Sequence, residues 1–250
     1  MTEPEQLVLA AFVVFSRVGG CLMLMPGFSS SRIPAQVRLY IAIALSLALT
    51  PLLREEVQGV LGTGTPTTLL RVMGMELLTG ATIGLLGRAF FIALETIGTA
   101  IAMAVGLSSN LGAPVNEDEP LPALTTLLTL GATLLIFITD QHLEIFRAIA
   151  ASYTSVPVKD GFSTQFALAQ LTGKAALAFS LALRIGSPFL ILSVVMNFAV
   201  GLTNRLVPTV QVFFLSSPFL LLGGLALLYF TVRPFLQLFV ETFARFLATG

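Results

Sequence analysis

Charge is scarce in this sequence. Of its 250 residues, 13 are lysine or arginine and 13 are aspartate or glutamate; together they make up 10% and give a formal net charge of zero. A soluble domain carries about 25% charged residues to cover its surface. With 56% hydrophobic residues and a mean hydropathy of +0.94, this chain cannot assemble a water-facing shell around so much apolar side chain. The balance of signs also leaves no basic footprint for nucleic acid. A single cysteine, Cys21, excludes an intramolecular disulfide and reads as a small buried hydrophobe. The lone histidine, His142, excludes a histidine pair on a metal and argues against a Ser-His-Asp triad. Its setting, Thr139-Asp140-Gln141-His142-Leu143-Glu144, reads as a helix end at a membrane surface. A basic leader is missing too: Met1-Thr2-Glu3-Pro4-Glu5 is acidic where a secretory signal is basic. The first apolar run is therefore expected to stay as structure.

What remains is apolar sequence in long runs, roughly 7–25, 35–53, 69–110, 121–139, 166–203 and 206–232, with a shorter tail to about 248. A helix needs about 20 residues to cross the hydrocarbon. The run 69–110 has room for two helices, and 166–203 for one long or two broken ones. The expected fold is all-α: a polytopic membrane protein of six to eight apolar helices, several of them broken or kinked, in one domain over residues 1–250. Pro26-Gly27-Phe28 closes the first run, Gly62 to Pro66 precedes the third, and Val156-Pro157-Val158-Lys159-Asp160-Gly161 opens the C-terminal half. Arg32 and Arg38 favour a cytoplasmic side for residues 26–38.

Several features sit awkwardly in a plain lipid-facing bundle. Arg17, Glu76, Arg88, Glu95, Arg184 and Arg205 lie inside or at the ends of apolar runs and are candidate buried charges. A charge at the centre of a membrane helix costs about 2.5–3.5 kcal/mol on insertion scales. Such charges therefore pair, snorkel, or face water or protein. Glu76, Arg88 and Glu95 are expected to share approximately one face of a continuous helix. Gly80 and Gly84 form a Gly-x-x-x-Gly, and Gly98, Ala102 and Gly106 extend the small-residue spacing that lets helices approach in lipid. Pro188 and Pro218 interrupt apolar runs and are candidate helix breaks. The stretch Ser108 to Pro120 is the most polar in the chain, with Glu117-Asp118-Glu119 at its end. It reads either as an exposed loop or as a re-entrant segment occupying a passage.

In order and spacing, these residues resemble the flagellar biosynthetic FliR family, which is homologous to the T-type export-apparatus protein of virulence type III secretion systems. The resemblance runs over about residues 7–246. It is carried by Arg17-Val18-Gly19-Gly20, Met25-Pro26-Gly27-Phe28, Ile33-Pro34-Ala35-Gln36-Val37-Arg38 and Gly74-Met75-Glu76-Leu77-Leu78-Thr79-Gly80 with Ile83-Gly84. Further on come Gly98 to Gly106, Pro188 with Asn197, Leu202 to Pro208, and Val212-Phe213 with Ser217-Pro218. The resemblance implies a subunit of the flagellar export gate in the bacterial inner membrane, at the basal body. It implies FliP and FliQ as partners, with the FlhB and FlhA export components nearby, and unfolded flagellar proteins as the cargo. It also implies hairpins packed in a helical assembly, contact with membrane lipid, and neither a cofactor nor a catalytic role. By position it assigns a plug loop to Ser108, Ser109, Asn110, Leu111, Gly112, Ala113 and Pro114. There the sequence departs from the family's pattern of aromatic residues followed by Asp-Pro.

Two other readings stay open on sequence. One is the injectisome version of the same subunit. The other is a small-molecule transporter with a site at Pro188 and Pro218 together with Glu76 or Arg88. An intramembrane enzyme lacks a convincing nucleophile and base.

Overall fold

The computed structural model describes residues 3–30, 33–61, 66–107, 121–206 and 212–249. Their regular structure is entirely helical: α1 (Glu3–Leu24), α2 (Ala35–Leu61), α3 (Pro66–Val105), α4 (Ala123–Ile138), α5 (Gln141–Ser155), α6 (Thr164–Leu206) and α7 (Val212–Thr249). A helix satisfies its backbone polar groups within one segment, which is what an apolar surrounding demands. Five of these helices are long and apolar enough to cross a membrane, and α4 with α5 adds a sixth span if that bent pair is counted as one. The expected polytopic all-α architecture is the one observed.

The long runs resolve into single helices. The described part of the run 69–110 lies in one helix of 40 residues up to Val105, and the region around 166–203 lies in one of 43. Residues 212–232 of the last run merge with the tail into α7, of 38 residues. At about 1.5 Å per residue α6 is about 64 Å long, twice the hydrocarbon thickness of a bilayer.

The expected breaks at Pro188 and Pro218 are corrected. Both prolines lie within continuous helix, as do Pro51 and Pro234. A proline removes one backbone donor and leaves the carbonyl four residues earlier without its partner. For Pro188 that carbonyl belongs to Arg184, and the Ser187 hydroxyl donates to it at 2.9 Å. The sharp break lies elsewhere. α4 and α5 meet at 73°, across Asp140, whose φ of 57° and ψ of 17° place it in the left-handed region.

By contacts the chain divides into two compact units. The first comprises the described parts of Met1–Phe90, Ile136–Ala176 and Phe243–Gly250. α1 is its centre: Ala10, Val13, Val14, Val18, Cys21 and Leu22 are fully buried, and α2 packs beside it. α5 lays Ile145, Ile149 and Tyr153 onto this core. Phe28 anchors the turn after α1 against Phe137 and Phe146, with ring centroids 5.7 and 5.5 Å apart. Phe90 closes the unit against Phe243 and Phe246 at the end of α7.

The second unit comprises the described parts of Phe91–Leu135 and Leu177–Thr242. Here small residues let α3 meet its neighbours. A Cβ at Gly98 would lie 3.2 Å from the Thr125 side chain of α4, and one at Gly186 of α6 would run into Ile97. One at Gly224 of α7 would collide with Val105. Phe91 and Phe239 stack edge to face at 5.5 Å.

Candidate functional site

The site with the most chemistry lies in the first unit, around a buried arginine. Close approach of two backbones creates it. A methyl group at Gly80 would overlap the Arg17 carbonyl oxygen, and one at Gly84 would lie 2.6 Å from the Cys21 carbonyl oxygen. Reciprocally, a methyl at Gly20 would lie 2.6 Å from the Leu77 carbonyl oxygen. These glycines therefore bring α1 and α3 into backbone contact, which in lipid supplies the association that the hydrophobic effect does not. Glu76 sits one turn before Gly80 on the same face of α3. The approach that seats Gly80 on Arg17 therefore also sets the Glu76 carboxylate beside the guanidinium.

Arg17 is 0% exposed and Glu76 2%. Arg17 Nε donates to Glu76 Oε2 at 2.6 Å and Nη2 to Oε1 at 2.7 Å, the forked geometry that matches a planar guanidinium to a carboxylate. Nη1 donates to Ser152 Oγ at 3.2 Å and Nη2 to the Val156 carbonyl at 2.9 Å. Val156 is the C-cap of α5, so the cation also meets the negative end of a helix dipole. The Tyr153 ring lies under the guanidinium, 4.0 Å from centroid to Cζ. Nearby, the Val158 N–H donates to Glu56 Oε1 at 3.0 Å, so the segment after α5 is held by α1 and α2 together.

Burying two charges is costly unless nearly every donor finds a partner. Arg17 meets that condition, with four hydrogen bonds and an aromatic face. This node ties α1, α3 and the C-terminus of α5 together. It offers no nucleophile beside a base, and among the described residues no group of three His, Cys, Asp or Glu gathers to hold a metal. Beside it a cavity of about 230 Å³ is lined by Thr79, Leu86, Ser152, Phe166, Gln170 and Phe246, among others.

The other candidate residues are scattered. Arg88 is exposed and Glu95 half-buried, whereas Glu76 is buried. The shared face expected for the three is corrected: twelve residues along a helix turn through about 120°, so Glu76 points away from Arg88. Glu76 pairs across helices with Arg17 instead. Arg184 and Arg205 are exposed on α6, so burial of Arg88, Arg184 and Arg205 is not a property of this chain by itself. Gly80 and Gly84 face α1, Gly98 faces α4, and Ala102 is fully buried. Gly106 lies just past the end of α3 with φ of 83°, where an added Cβ would meet nothing, so it ends the helix. The plug candidates Ser108, Ser109, Asn110, Leu111, Gly112, Ala113 and Pro114 lie outside the described residues.

The family model described as bacterial export proteins, family 1, matches residues 8–246. The chain belongs to this family. Among the export proteins it is similar to the flagellar biosynthetic protein FliR of Caulobacter vibrioides, with 32% identity over 96% of this chain and 95% of the relative. The FliR proteins of Escherichia coli and Aquifex aeolicus are each 26% identical, over 91% and 97% of this chain and 87% and 95% of the relatives. The export-family match takes in Arg17, Glu76 and Tyr153, so the node lies inside the shared region.

Of the node, sequence reading had singled out Arg17 and Glu76 but not their pairing, and it missed Glu56, Ser152, Tyr153 and Val156. The usable signal was the four-residue spacing of Ile145, Ile149 and Tyr153, which marks one buried stripe on an otherwise polar segment.

Proposed function

We propose that this export-family chain is a membrane-embedded subunit of the flagellar protein-export apparatus, which joins FliP and FliQ to form and gate the passage taken by unfolded flagellar proteins. The observation that carries this reading is the end-to-end similarity to FliR of Caulobacter vibrioides, covering 96% of one chain and 95% of the other. The architecture supports it. The most hydrophobic stretches of α6 and α7 are only 17% and 11% buried within the chain, against 56% for α1. A lone transporter of this size needs its substrate site inside, whereas this chain leaves much of its long apolar helices α6 and α7 for other surfaces to cover. The buried ion pair suits a structural role in a transport component, since Arg17 directs four hydrogen bonds to holding helices together.

Deletion of the gene tests the reading. The deletion strain is expected to lose flagellar filaments and swimming, and a plasmid copy is expected to restore both. Cells that build normal filaments without the gene would overturn the assignment.

A further inference from the structure

α6 carries two faces with different surroundings. Ala178, Leu181, Ala182, Ile185 and Phe189 form its buried stripe. From residue 190 to Leu206 the helix continues with no buried residue. On the outer face Leu177, Arg184, Ile191, Phe198 and Arg205 recur every seven residues, and Pro188, Val195 and Leu202 follow at the intervening four-residue steps. Leu177, Ile191 and Phe198 are 44%, 62% and 70% exposed, and Val195 and Leu202 are 57% and 47% exposed. A 3.5-residue apolar period is the seam by which one helix supercoils with another.

Two cations punctuate this seam. Arg184 stands near the midpoint of α6, and neither its guanidinium nor that of Arg205 forms an ion pair or hydrogen bond among the described residues. A charge at such a position is disfavoured against lipid. α7 contrasts with it: from Phe219 to Val232 it carries no charge and exposes Leu222, Leu225, Tyr229 and Phe230. That surface suits hydrocarbon, and the α6 seam suits protein.

We propose that the α6 seam is a helix-docking surface whose occupant is an apolar helix of a different export-apparatus subunit, carrying a carboxylate opposite Arg184. Charge selects this occupant over a second copy of the chain. In a parallel pairing of two copies, Arg184 would face Arg184. In an antiparallel one centred on Ile191, Arg184 would face Phe198 and Arg205 would face Leu177. The first sets like charges together, which interfaces avoid, and neither supplies a carboxylate, since α6 has no Asp or Glu from Thr164 to Leu206. The proposal rests on the export-apparatus reading above and adds to it the surface and the chemistry of the contact.

The test places a photoreactive amino acid at Ile191 or Phe198, in cells making the whole apparatus, and follows adducts in chains that also carry Arg184→Glu or Arg184→Lys. Adducts with one other subunit are expected at both positions. Per chain retained in the membrane, Arg184→Glu should lower them about tenfold or more, while Arg184→Lys keeps them within about twofold. Reversing the facing carboxylate of that subunit to a base should restore the adduct to Arg184→Glu. Adducts with lipid alone or with a second copy of this chain, or no effect of Arg184→Glu, would overturn the proposal. If the gene proves essential for filaments while those adducts are absent, the docking surface fails and the function stands.

Discussion

Glu76→Leu gives the sharpest single perturbation of the node. Arg17 is fully enclosed, and its only formal counter-charge among its contacts is the Glu76 carboxylate at 2.6 and 2.7 Å. In the Glu76→Leu chain the guanidinium keeps Ser152, the Val156 carbonyl and the Tyr153 ring, all neutral. Stranding one member of a buried pair costs about 3–5 kcal/mol. Arg17→Met, which leaves the carboxylate behind, is expected to cost a similar amount. The two single changes sum to about 6–10 kcal/mol. The double variant removes both charges and fills the space with apolar atoms, so the burial penalty vanishes with the attraction. Its residual loss is the lost bond to Val156 and to Ser152, about 1 kcal/mol each. A coupling of several kcal/mol follows, far above the roughly 0.3–0.5 kcal/mol scatter of independent sites. Unfolding of the purified chain in mixed micelles provides the four corners of this cycle. The reasoning is refuted if Glu76→Leu alone shifts stability by less than about 1 kcal/mol, or if the double variant loses the sum of the two singles.

Other expectations follow from the same packing. Gly80→Ala should destabilise by about 1–3 kcal/mol or more, because its methyl group meets the Arg17 backbone; Gly74→Ala, with nothing within 4 Å, should gain about 0.5–1 kcal/mol. Comparing the two melting curves checks both. Tyr153→Phe should cost less than about 1 kcal/mol, since its hydroxyl reaches the Val14 carbonyl only at 3.5 Å, while Tyr153→Leu loses the ring beneath Arg17 and should cost about 2 kcal/mol or more. Asp140→Gly should keep or slightly raise stability because glycine adopts φ of 57° freely, and Asp140→Val should lower it by about 1–2 kcal/mol; equal effects would mean that the left-handed turn is not maintained.

Much of the fold was legible because lipid-compatible helices announce themselves by length. The runs at 7–25 and 35–53 correspond to α1 and α2, and the Gly80 and Gly84 spacing points to a close helix contact. The failures have physical causes. α5 was missed as a helix because it is not an apolar run; its signal is a narrow stripe under a polar surface. Pro188 and Pro218 do not break their helices, since a proline removes one hydrogen bond and, at Pro188, a neighbouring serine takes up the freed carbonyl. The node itself was half legible. Arg17 and Glu76 are conspicuous as charges in apolar sequence, but their partnership crosses 59 positions and depends on three glycines, Gly20, Gly80 and Gly84, seating α1 on α3. Counting residues along α3 linked Glu76 to Arg88, when the helical turn separates them and the nearest cation belongs to another helix.

The central claim, that this chain works as one subunit of a flagellar export assembly, is tested most directly by isolating it with an affinity tag from native membranes in mild detergent and identifying what remains bound. The account predicts a single particle containing the chain together with FliP and FliQ, with the long helices α6 and α7 covered. Isolation of the chain from native membranes with neither FliP nor FliQ bound would contradict it.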